Sequence, residues 1–292
     1  MQNLFITDSL EGRHEEQQGG VTAGMHSPRL AYSEDTIVNF ISDIYRVYLQ
    51  LNYISDWEIT WPPTPDGHAI NQALCEELHL DPVVISLMKR IPYFRFSRIA
   101  DDVELIPPYS RAFVYLEDDE IRGGRDPDRF SYSETPRPDF LLPREIALTC
   151  SIDEGVHVIL DTKENTIRVW TFDDPPPGDD MDDYRKYTPV HAPSYLAAYL
   201  QQLRSLEIIP SPSRCTRRLY NKYYEDVYPG MKKVLQEQYG WPNDFQEAEW
   251  KAASKVTWKR IKLEDPDYDT DNADELEPEV LRNNKDGYSF QF

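Results

Sequence analysis

Cysteine is almost missing from this chain: Cys75, Cys150 and Cys215 are the only three in 292 residues. A dispersed, odd-numbered set excludes a complete set of intrachain disulfides and any CxxC metal or redox pair, and it fits a reducing compartment. Glycine is scarce at 12 while proline reaches 23, so segments are expected to be stopped by proline. Positive charge is in short supply, with 31 Lys and Arg against 52 Asp and Glu and a net charge of −21. That sign repels phosphate backbones and anionic lipid surfaces, so neither nucleic acid nor membrane is an expected partner. No apolar run approaches the ~20 residues of a membrane-spanning helix. Met1–Leu10 lacks the basic and apolar regions of a signal peptide, and no glycosylation sequon occurs. The cytoplasm, with access to the nucleus, is the expected location.

Common catalytic signatures are missing too. There is no GxGxxG, no GxxxxGK[ST], no GxSxG and no HExxH. Asp267, Asp269 and Asp271 have the one-three-five spacing of a calcium loop, but Asn272 stands where the turn needs Gly and Pro278 where a bidentate Glu is needed. Neither a metal nor a cofactor is expected.

What is present is an ordinary globular balance, 40% hydrophobic and 28% charged. Residues 1–32 read as a flexible leader. From Ser33, the recurrence of Ile37, Phe40, Ile41, Ile44, Tyr45, Tyr48 and Leu51 predicts a long amphipathic helix led by Glu34 and Asp35. A second helix is predicted over 70–78 and a third over 83–90, the latter opened by Asp81-Pro82. The middle predicts strands at 112–116 and 146–150, with Glu117–Glu120 turning into solvent and 122–138 mostly loop. The clearest β signal is a hairpin, Val156–Asp161 and Thr166–Phe172 around Lys163-Glu164-Asn165. An acidic, proline-rich loop over 173–183 precedes a helix striped by Tyr195, Leu196, Tyr199, Leu200 and Leu203. Beyond 212 the pattern is helical over 219–227, 231–239 and from Asn243 to about Trp258. Residues 264–280 hold nine acids and no base, the pattern of a disordered acidic tail. The divisions are thus a leader (1–32), a core domain (33–212), a C-terminal helical extension (213–262) and a tail (263–292).

Two constellations carry possible chemistry. His157 and Asp161 fall on one face of a predicted strand, a spacing that allows an Asp-oriented histidine base or, more plainly, the polar side of a half-exposed strand. Arg122, Arg125 and Arg129 surround Gly123-Gly124, a loop able to grip a phosphate or carboxylate. Its plainer reading is local pairing with Asp126, Asp128 and Glu120. The bases of the extension, among them Arg214, Arg217, Arg218, Lys232, Lys233, Lys255 and Arg260, interleave with Tyr220, Tyr223 and Tyr224. They read as a counter-surface for the acidic tail or loop, or for an acidic partner. The 19 Tyr, 6 Trp and 11 Phe tilt the balance toward binding.

The segment Gly155–Trp170, a strand, Asp, short turn and strand, followed after an acidic loop by Ala192-Pro-Ser-Tyr-Leu-Ala-Ala-Tyr-Leu200, resembles the SUKH superfamily, the Smi/Knr-type domain. Asp66–Asn71 and Leu80–Tyr93 are similar to segments of proteins from filamentous fungi. The resemblance spans about residues 35 to 210 and leaves the C-terminal helices unmatched. It implies an α+β fold and a non-catalytic, protein-binding role, with no catalytic residue to carry over. The expected fold is therefore α+β: a central, mostly antiparallel sheet with flanking helices and a C-terminal helical extension. The expected function is an intracellular protein-interaction or regulatory module. The alternative is an enzyme or accessory protein acting on a small anionic metabolite in a fungal pathway, with Arg122, Arg125 and Arg129 binding the anion and His157–Asp161 supplying the base.

Overall fold

The computed structural model describes residues 31–94, 110–151, 155–171, 183–211, 219–223 and 227–263. The leader before residue 31, the acidic loop over 172–182 and the tail from 264 lie outside the described residues, as do Arg214, Cys215, Arg217, Arg218 and Tyr224.

Helix α1 (Glu34–Gln50) starts at Ser33, whose hydroxyl accepts the Thr36 N–H at 3.3 Å. Glu34 and Asp35 fill the first turn, where exposed N–H groups favour negative charge. Its stripe of Ile37, Ile41, Ile44, Tyr45 and Tyr48 is buried, as the three- and four-residue spacing requires. Helix α2 (Gln72–Glu77) is capped by Asn71, and α3 (Pro82–Arg90) by Asp81 with Pro82 at its first position. Strands β1 (Ile59–Thr60) and β2 (Tyr93–Phe94) pair antiparallel.

The central layer is a five-stranded antiparallel meander, β3 (Ser110–Ala112), β4 (Glu145–Ser151), β5 (Val156–Asp161), β6 (Thr166–Thr171) and β7 (Val190–His191), in that spatial order. The predicted hairpin is its centre, in register from Val156 opposite Thr171 to Asp161 opposite Thr166. Its turn is held by Asp161, whose carboxylate accepts the N–H groups of Lys163 and Glu164, both at 2.9 Å. Asn165 closes it at φ 54°, left-handed backbone that Asn tolerates better than most side chains. Helix α6 (Ala192–Arg204) packs on β6 and β7 and against α1, with the Tyr48 and Tyr199 phenols 2.7 Å apart. The protein is thus mixed α+β around an antiparallel sheet, as its sequence pattern predicts.

Three stretches differ from expectation. The strand read over 112–116 is β3, which covers Ser110–Ala112 and ends before Phe113. Residues 117–138 contain two short helices, α4 (Asp118–Gly123) and α5 (Pro127–Ser131), rather than mostly loop. Glu120 does not turn into solvent: it is buried and accepts the Val114 N–H at 3.2 Å. The stretch expected as a helix over 219–227 opens instead with strand β9 (Leu219–Asn221), paired antiparallel to β8 (Ile208–Pro210). Ile208 and Ile209 are buried β-branched residues with edges to satisfy, and that pairing outweighs the helical spacing of a short segment. Helices α7 (Tyr228–Glu237) and α8 (Glu247–Leu263) follow and pack on the core. The Trp250 indole donates to the Leu51 carbonyl at 2.9 Å, the Trp241 indole to Arg204 at 2.8 Å, and the Asn52 amide to the Ser254 hydroxyl at 2.8 Å.

Candidate functional site

The three arginines of the predicted anion loop do not converge. Arg125 is buried and donates to the carbonyls of Pro138 at 3.2 Å, Glu145 at 3.1 Å and Leu141. Burial lowers its pKa from the usual value, opposed by Tyr115 and Glu145. Its fork is spent on three backbone oxygens, two of them in buried residues. Arg122 is exposed and reaches Glu77 at 3.4 Å. Arg129 lies 3.9 Å from Asp126 and 3.7 Å from Glu134. The two glycines between them serve packing rather than phosphate approach. A Cβ on Gly123 would stand 2.4 Å from the Phe130 ring, and one on Gly124 2.5 Å from the Tyr115 hydroxyl.

His157 and Asp161 share strand β5 but not a site. Residues four apart on a strand are separated by roughly 13 Å, beyond any hydrogen bond. The His157 ring is fully buried, 4.7 Å from Trp170, and its Nδ1 accepts the Ser151 N–H at 3.2 Å. Burial drives its pKa down to about 3, with the Asp126 charge pulling weakly the other way. An imidazole so held is neutral and shielded from solvent. Asp161 is likewise buried, engaged by the turn and by the Arg144 Nε at 3.1 Å. The face expected to be half exposed is closed, because β5 is buried along its whole length. His191 stands at the start of α6, with Nδ1 2.8 Å from the Ser194 hydroxyl and Nε2 3.4 Å from the Asn165 amide, pinning the hairpin turn to the helix.

What reaches the surface is a different group. Asp126, fully buried, accepts three bonds from Arg137: the backbone N–H at 3.0 Å, Nε at 2.6 Å and Nη2 at 3.2 Å. The pairing fixes the Arg137 guanidinium 3.9 Å over the Phe140 ring. From the far side of the chain, Arg185 lies 4.4 Å from the Tyr184 ring and 5.6 Å from Phe140, and donates to the Phe140 carbonyl. Trp170 packs beneath, 5.8 Å from Phe140 and 6.1 Å from Tyr184. Tyr184 is anchored by its hydroxyl to Glu145; burial, then that bond, raises its pKa. The Arg137 and Arg185 side chains remain 39% and 40% exposed. Two cations are thus held face-on to one aromatic cluster at the surface. Sequence reasoning missed this group because its members come from segments some 45 residues apart, joined only by the sheet.

The void beside Arg125, Glu145 and Tyr115 measures about 10 Å³, room for one water and not for a substrate. Among the described residues no three His, Cys, Asp or Glu are grouped to hold a metal ion, and no helix is long and apolar enough to cross a membrane. No protein-family model matches the chain, no curated protein matches it, and no solved structure matches it.

Proposed function

We propose that this chain is an intracellular, non-catalytic protein-interaction or regulatory module that docks a protein partner on the surface formed by Arg137, Phe140 and Arg185. The observation that carries the reading is the pair of half-exposed guanidinia held against Phe140 and Tyr184. Arginine and aromatic side chains are the residues that most often anchor interfaces. Here Asp126 and the aromatic bed hold them in place in advance, which lowers the ordering cost of binding. The order of hairpin, acidic loop and helix, β5–β6 and then α6, also supports a SUKH-type reading, whose members bind partner proteins. By contrast, of the candidates for anion and proton chemistry, Arg125, His157 and Asp161 are engaged inside the fold, and Arg122 and Arg129 lie apart at the surface beside acids.

The test is affinity purification of the tagged full-length chain from its own cells at moderate salt, with bound proteins identified by mass spectrometry. Arg185→Glu is the informative variant, since Arg137 neutralises the buried Asp126 and Arg185 does not. A partner at near-equal stoichiometry, lost with Arg185→Glu and kept with the control Arg46→Glu, is the expected result. A partner indifferent to Arg185→Glu, or none at all, would reject the proposal.

A further inference from the structure

Helix α8 ends with charge of one sign. Lys255, Lys259, Arg260 and Lys262 fill its last turns with no acid among them, and 264–280 then carries nine acids and no base. Residues 213–263 hold eleven Lys and Arg against six Asp and Glu, a positive stretch in a chain of net charge −21. Between α7 and α8 a groove of about 290 Å³ opens to solvent. Gly230, Val234 and Ile261 give it an apolar floor, and the exposed Lys233 and Arg260 stand beside them, with Glu237 also in its lining. The floor is open because Gly230 has no side chain: a Cβ there would already touch Ile261 at 3.5 Å.

We infer that this groove is the docking site of the chain's own segment Glu264–Asp271, with the Tyr268 ring on the apolar floor and the surrounding carboxylates neutralising Lys233 and Arg260. Tyr268 is the one aromatic residue of that segment, with Asp265, Asp267, Asp269 and Asp271 around it. The segment leaves α8 within one turn of Arg260, and its eight residues span up to about 26 Å when extended, enough to turn back over the groove. Each exposed ion pair is weak on its own. Tethering raises the local concentration of the segment to the millimolar range, so a weak contact is populated. The inference is independent of the Arg137–Phe140–Arg185 surface.

Zero-length carbodiimide coupling of the full-length chain reads this contact, with the monomer separated before digestion and peptide mapping. The expected product links Lys233 to the 264–271 peptide at about fivefold or more the yield of links from exposed Lys163 to the same peptide, as an effective-concentration advantage requires. That excess should vanish at roughly 0.5 M NaCl, where screening shortens to about 4 Å. Gly230→Leu fills the groove without changing a charge, and Tyr268→Ala leaves the groove and every charge intact. Both should drop the Lys233 link to the Lys163 level, and Tyr268→Ala carries the test if Gly230→Leu does not fold. Equal yields from the two lysines, or a link unchanged by Tyr268→Ala, would overturn the inference. A link found only in a dimer fraction would overturn it in favour of a second copy.

Discussion

His157 and Arg125 show how a side chain's chemistry is decided by what surrounds it. An unfolded histidine titrates near pH 6.5, and His157 in the fold near 3 because burial penalises the cation. Above pH 6.5 both states are neutral and the residue contributes nothing to pH dependence. As pH falls below 6.5 the unfolded chain takes up a proton that the folded chain refuses until about pH 3, so stability declines across that window. The loss is about 2 kcal/mol at pH 5. In urea unfolding at pH 7 and pH 5, His157→Gln should therefore lose about 2 kcal/mol less than the parent between the two values. His68, whose pKa burial also lowers, is present in both proteins and cancels; parallel losses would contradict the account. The arginines divide in the same manner. Arg125→Met strips the donors from the Leu141 and Glu145 carbonyls, both buried, and from that of the exposed Pro138, and should cost at least about 2 kcal/mol. Arg122→Ala and Arg129→Ala should stay within about 0.5 kcal/mol of the parent in thermal unfolding. In sequence the three form one basic loop, because neighbouring residue types do not reveal which guanidinium points inward.

At the level of elements, local signals were legible where they sufficed by themselves. The Asp81-Pro82 opening of α3, the start of α1 near Ser33 with its stripe, and the β5–β6 hairpin are written in adjacent residues, and the structure places them as the pattern predicts; Asn71, inside the span read as helix, is instead the cap of α2. Gly123-Gly124 shows the limit. A glycine pair beside arginines suggests backbone approach to an anion, yet here it admits Phe130 and Tyr115. Tyr115 cannot move aside freely, because its hydroxyl donates to the Ala147 carbonyl in β4 at 2.5 Å. Gly124→Ala should therefore destabilise by about 1–3 kcal/mol despite the better helix propensity of alanine. Denaturant titration checks this, and a neutral or stabilising result would mean that the ring shifts without cost. Strand β9 is legible only with β8 beside it, since three residues carry too little pattern to separate strand from helix.

For the whole molecule, the extension and the core share one continuous set of buried side chains, from Ile37 in α1 to Ile261 in α8. Trp250 is the tie, fully buried, bonded to the end of α1 and packed at 5.2 Å on Tyr239. Trp250→Ala should cost about 3–5 kcal/mol, the range for emptying a buried aromatic site. Far-ultraviolet circular dichroism and tryptophan fluorescence should report a single coincident unfolding transition in the parent chain. Two separated transitions would show that the extension unfolds by itself.

Composition alone determined the sign of the net charge, and local periodicity and capping residues determined α1, α3, α6 and the central hairpin. Those properties depend on residue type and on spacings within a few positions, which a sequence displays directly. Only the tertiary structure decided that Arg125, His157 and Asp161 are internal, that Asp126 holds Arg137 against Phe140, and that Arg185 joins the same aromatic cluster. These outcomes rest on contacts between segments tens of residues apart. There, burial, unsatisfied carbonyls and ring packing set which charged group turns inward and which faces solvent.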